Sequence, residues 1–234
     1  METKTLWAFG DSWTAAAEVP FYESYAALVS KKLNYRFINL ARGGSSNHEI
    51  AKQIQLTRRN IQKDDLVIVG WTTPHRDISL EIRNLKVEDT WDKHLRRQKK
   101  IGSELTDIKV PIKDWLRILN KGIDLLEGLD YVMTQAFNPV FGYDYIVKPS
   151  DIKNPKKFIG WGKPNYTMCD MVTNNFLAEN TKSLWMTKDS IKVRKNLYME
   201  PFFASDNKHP SQHGHKIIAE YIYNFISKNK TNFI

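Results

Sequence analysis

The sequence predicts a doubly wound α/β fold around a mostly parallel sheet. Three observations carry that prediction. Short apolar runs of strand length recur at 6–9, 35–40 and 66–69. Each run ends in a turn rich in glycine and small polar residues. Between the runs lie stretches with apolar residues at helical spacing, the alternation from which parallel sheets are built.

The first run, Leu6-Trp7-Ala8-Phe9, leads into Gly10-Asp11-Ser12-Trp13. A helix is expected over about 21–33, with Tyr22, Tyr25, Ala26, Val29 and Leu33 on one face. Tyr35-Arg36-Phe37-Ile38-Asn39-Leu40 reads as a second strand, running into Ala41-Arg42-Gly43-Gly44-Ser45-Ser46-Asn47. Paired glycines followed by hydroxyl residues mark a tight turn with exposed amides. A helix carrying Ile50, Ile54 and Leu56 follows, with Ser46 or Asn47 as its cap. Leu66-Val67-Ile68-Val69-Gly70 is aliphatic, β-branched and short, the pattern of a strand buried on both faces. It ends in Gly70-Trp71-Thr72-Thr73-Pro74-His75-Arg76.

Residues 77–112 break the rhythm with a charged stretch that includes Lys93-His94-Leu95-Arg96-Arg97, and read as an insertion overhanging the site. A helix over 112–126 turns Trp115, Leu116, Leu119, Ile123 and Leu126 inward, and 131–137 forms a fourth strand. Residues 138–180 are proline-rich and irregular, a second insertion of the kind that forms lids and binding loops. There Phe158, Trp161 and Tyr166 either line a groove or cover core. Leu184-Trp185-Met186 fits a short strand or part of a helix. The last helix carries Ile217, Ile218, Tyr221, Ile222, Phe225 and Ile226 on one face, with His213 and His215 on its first turn. No repeat, linker or boundary divides the chain, so 1–234 is read as one domain.

Composition bounds the function. At 41% hydrophobic and 12% aromatic residues the chain can bury a substantial core. No apolar run approaches the ~20 residues that cross a bilayer, and the start lacks a secretory signal, so a cytoplasmic protein is expected. Export without a cleaved signal, or a place in a virion, stays open. One cysteine, Cys169, excludes an internal disulfide and a multi-cysteine zinc site. The net charge of +9 favours encounter with anionic partners, an acidic substrate or nucleic acid among them.

Ser12 follows a strand directly, at the crevice outside the carboxyl ends of a parallel sheet where such folds place their chemistry. A serine needs a base, and Asp206 and His209 supply one: the carboxylate, three residues before the histidine, can hold one ring nitrogen and leave the other to take the Ser12 proton. The backbone amides of Ser12 and Gly44 are candidate oxyanion donors. Asp11 and Trp13 beside the serine, and His75 and Arg76 after the third strand, are candidate substrate contacts. Asp206, His209, His213 and His215 also read as a metal cluster, but Pro210 interrupts them and no acidic ligands accompany them, so no metal or other cofactor is expected. No Gly-x-Ser-x-Gly elbow, phosphate loop or dinucleotide fingerprint occurs.

Gly10-Asp11-Ser12, Asn39-Leu40-Ala41-Arg42-Gly43-Gly44 and Asp206-Asn207-Lys208-His209-Pro210 together resemble the motif blocks of the SGNH/GDSL hydrolase family. The resemblance implies a flavodoxin-like three-layer α/β/α sandwich with a sheet of about five strands. It implies ester hydrolysis through an acyl-enzyme, with Ser12 as nucleophile, His209 as base, Asp206 as its orienter and Gly44 as oxyanion donor. Two positions depart from the pattern: Trp13 replaces the usual leucine, and Thr72 stands where the family has the asparagine that completes the oxyanion hole. Thr72, or in its place Thr73, His75 or Arg76, is then the third donor. The implied substrate is an O-acylated glycan or small molecule, with deacetylation of a carbohydrate first by analogy. The same triad serves an acyltransferase. The altered block also fits a binding module on this scaffold, with nucleic acid as the anionic partner. The oligomeric state is not legible.

Overall fold

The computed structural model describes residues 3–73, 76–77, 112–136, 149–160, 167–173, 202–205 and 209–229. Among the described residues, four strands form one parallel sheet: β1 (Thr5–Gly10), β2 (Arg36–Asn39), β3 (Leu66–Trp71) and β4 (Asp130–Gln135), in the spatial order β2-β1-β3-β4. Five α-helices are described: α1 (Tyr25–Leu33), α2 (Asn47–Thr57), α3 (Ile112–Asp124), α4 (Met168–Thr173) and α5 (Gln212–Lys228).

The sheet is covered on both faces, which makes three layers. Successive strand residues point to opposite sides, so Leu6, Ala8, Leu66, Ile68 and Val132 pack with α1, α4 and α5. Trp7, Phe9, Val67, Val69 and Met133 pack with α2 and α3. The central strands β1 and β3 are buried along their whole length, and each large apolar side chain removed from water there contributes about 1.5–3 kcal/mol. Asp65 fixes their register: its carboxylate accepts from Thr5 N at 2.7 Å, Trp7 Nε1 at 2.8 Å and Gln62 N at 3.0 Å, next to the Leu6–Leu66 pair.

The inward face expected for α3 is observed, with Trp115, Leu116, Leu119, Ile123 and Leu126 all buried. Two expectations fail for local reasons. Ser24 caps α1 by accepting from Ala27 N, so Phe21–Glu23 is a separate 3-10 turn and Tyr22 is 71% exposed. In α2 the buried face runs through Ile50, Ala51 and Ile54, and Leu56, half a turn further on, is 68% exposed. Phe158 lies in the core beside Met133, with which it forms a parallel bridge, and so lines no groove. Trp161, Tyr166, 184–186 and most of both insertions lie outside the described residues. Among the described residues, no helix is long and apolar enough to cross a membrane.

Candidate active site

Three loops meet at the carboxyl edge of the sheet: 11–15 after β1, 40–46 after β2, and one after β3 of which 72–73 and 76–77 are described. The first is a tight turn. Asp11 O accepts from Thr14 N at 3.1 Å and Ala15 N at 2.8 Å, and Asp11 Oδ1 accepts from Trp13 N at 3.0 Å. Among the described residues, the amide and hydroxyl of Ser12 have no hydrogen-bond partner, although the three amides that follow are all engaged. Gly10 makes the turn possible. A side chain there would run into Thr14 Oγ1 and the Gly70 carbonyl, and one on Gly70 would meet Thr14 Oγ1 and the Tyr25 hydroxyl. The paired glycines leave a notch filled by the Thr14–Tyr25 hydroxyl contact of 2.8 Å, where burial pushes the Tyr25 phenol above its usual range.

The second loop brings glycine to the serine. A methyl group on Gly43 would lie 4.0 Å from Ser12 Cβ, and Gly44 is in the left-handed region at φ 78°. Arg42 N donates to Gly10 O at 3.1 Å, and Asn39 spans the two loops by donating to Thr14 O and accepting from Ala41 N, both at 3.0 Å. Ser46 then starts α2 with a capping box: its side chain accepts from Glu49 N, and Glu49 Oε2 accepts from Ser46 N at 2.7 Å.

The third loop is tied to both others by a buried polar network that the sequence did not disclose. Thr72 Oγ1 donates to Asp11 Oδ2 at 2.8 Å, and Thr72 N donates to Asn47 Oδ1 at 3.0 Å. Asn47 Nδ2 donates to Thr72 O at 3.2 Å and to Asp77 Oδ2 at 2.7 Å, while Asp77 Oδ1 accepts from His48 N at 3.2 Å. Burial raises the Asp77 carboxyl above its usual range, opposed by these hydrogen bonds. Arg76 Nη1 lies 3.4 Å from Asp11 Oδ2 and donates to Ser45 O at 3.3 Å.

The histidine side of the site stands on a small hairpin. Phe203 and Pro210 form an antiparallel bridge, Ala204 N donates to His209 O, and Ser211 N donates to Phe202 O, both at 2.9 Å. The hairpin is anchored beside the serine turn by Trp13, whose ring meets Phe203 edge-on at 6.4 Å. His209 is half-buried and near enough to His215 to act on it electrostatically. His215 is buried on α5, stacked at 6.0 Å on Tyr25, and its Nδ1 accepts from Tyr25 N at 3.2 Å. Burial first, and His209 second, lower its pKa from 6.5 to about 4, so it is neutral near pH 7.

The structure therefore places Ser12, Gly44, Thr72 and Arg76 around one sheet edge. Asp206 and His75 lie outside the described residues. Asp11 and Trp13, expected as substrate contacts, are fully buried: Asp11 is enclosed by its network and Trp13 is core. The Thr72 hydroxyl, expected as an oxyanion donor, has its single proton directed at Asp11. Among the described residues, no three metal-ligating side chains come together. The apolar stripe of α5, read back from Ile222 through Ala219 and Ile218, lands on His215 and signals its burial.

No protein-family model matches the chain, and no curated protein matches it in sequence. Solved structures do match in fold. A G-D-S-L family protein from Desulfitobacterium hafniense is 14% identical at a TM-score of 0.50, covering 95% of this chain and 99% of its own. The fold is that of the SGNH/GDSL esterases. Two further solved structures that match are the psychrotrophic esterase EstA from Pseudoalteromonas sp. and a G-D-S-L lipolytic family member from Veillonella parvula. EstA is 13% identical at a TM-score of 0.47, covering 98% of this chain and all of its own. The Veillonella protein is 14% identical at 0.47, covering 97% and 100%.

Proposed function

We propose that this protein is a serine hydrolase that cleaves an ester through an acyl-enzyme. The observation that carries the reading is Ser12. Its hydroxyl and amide have no partner among the described residues, at the sheet edge where the Gly43-Gly44 loop also lies. In the proposed reaction Ser12 Oγ attacks the ester carbonyl while His209 takes its proton. Asp206 holds the resulting imidazolium, and the amides of Ser12 and Gly44 receive the oxyanion. His209 returns the proton to the leaving alcohol. Water then repeats the sequence on the acyl-enzyme, which frees the acid and restores the serine. His215, held neutral, places no second positive charge beside the imidazolium. An O-acylated glycan or small molecule is the substrate class, and the charge of +9 favours an acidic one.

Mass spectrometry after exposure to an activated fluorophosphonate tests the reading. A single adduct on Ser12 is expected, absent in Ser12→Ala and formed about 10²–10⁴-fold more slowly in His209→Ala. A folded wild-type protein that takes no adduct on Ser12 would sink the proposal.

A further inference from the structure

A threonine hydroxyl carries one proton, and that of Thr72 goes to Asp11. The Thr72 amide goes to Asn47. Asn47, the buried carboxamide beside it, spends its own NH₂ on Thr72 O and Asp77. A tetrahedral intermediate on Ser12 therefore draws no third donor from either side chain. One cation bridges the two loops that would form the oxyanion hole. Arg76 Nη1 is 3.4 Å from the carboxylate of Asp11, the residue before Ser12, and 3.3 Å from the carbonyl of Ser45, the residue after Gly44. Its side chain keeps 26% of its surface open, whereas Asp11, Ser12, Ser45, Asn47 and Thr72 around it are buried. A guanidinium presents five N–H donors in one rigid plane, and hydrogen bonds from a charged donor are roughly twice as strong as neutral ones.

We propose that Arg76 is the third oxyanion donor, a charged substitute for the group that Thr72 does not supply. The inference rests on the serine-hydrolase reading above. Asp11 gives the arrangement its second half: by accepting from Thr72 and facing Arg76, it holds the guanidinium at the serine turn while the acyl-enzyme forms and breaks.

The test is fluorophosphonate labelling of Ser12, with ester turnover, in the full-length protein and in Arg76→Ala and Arg76→Lys. Arg76→Ala is expected to keep its KM and lose about 10²–10³-fold in kcat and labelling rate. Added guanidinium ion, below denaturing concentration, is expected to restore part of that loss, which it could not do for a residue that only props the loop. Arg76→Lys retains the charge beside Asp11 but not the planar fork, and is expected to stay at least about tenfold slow. That variant gives the reading if Arg76→Ala does not fold. A folded variant that labels at the wild-type rate overturns the proposal, as does a slow one that guanidinium ion leaves slow. Wild-type protein without a Ser12 adduct overturns the hydrolase reading instead, and this inference with it.

Discussion

Asp11 is where three parts of the chain meet. One carboxylate oxygen closes the Ser12 turn through Trp13 N, and the other takes the Thr72 proton and faces Arg76. Removing it takes a buried carboxylate from beside a part-buried guanidinium and leaves a buried hydroxyl without its acceptor. Asp11→Ala is accordingly expected to destabilise the fold by about 3–5 kcal/mol, read from the urea unfolding midpoint. A loss below about 1 kcal/mol would place the pair in the class of screened surface ion pairs. None of this was legible beforehand. Ser12, the paired glycines and His209 announce themselves through residue type and position at strand or helix ends. The Asp11–Thr72 bond spans 61 residues, and only the β1–β3 register brings its ends together. Trp13 misled for a related reason: it adjoins the serine in sequence, but the turn sends its ring down onto Phe203.

Helices α1 and α5 are joined through His215, and that joint titrates. In the unfolded chain the imidazole protonates near 6.5, and in the fold near 4. Between those values the unfolded chain binds the proton and the folded one does not, so stability falls as pH drops through that window. At 1.36 kcal/mol per pH unit, the loss below pH 4 is about 3 kcal/mol. Urea unfolding of the wild type against His215→Gln, pH by pH, isolates this share from the carboxylates. The wild type is expected to lose that much more than the variant between pH 6.5 and 4. Equal slopes would mean that His215 protonates without cost. Element positions were largely readable, because β3 is an unbroken aliphatic run and α3 a regular stripe. Their ends were not. Ser24 caps a helix inside what periodicity joins into one, and that cap decides that Tyr22 faces water.

At the scale of the molecule, one sheet separates two cores. Leu119 belongs to the α2/α3 side and Ile222 to the α1/α5 side. Each, cut to alanine, is expected to cost about 2–5 kcal/mol, with the double variant equal to the sum within about 0.5 kcal/mol. A larger deviation in unfolding free energy would show that strain crosses the sheet. The three-layer plan was legible in the alternation of runs. The buried ties between loops were not, since they depend on which strand lies beside which. The site sits at the edge shared by both cores, on central strands whose last matched pair is Gly10 and Gly70. Neither position has room for a β-carbon, with the Thr14 and Tyr25 hydroxyls wedged into the notch. The floor beneath the nucleophile is thus closed to novelty. Any change in what this scaffold recognises has to enter at other positions, while this part of the platform stays as it is.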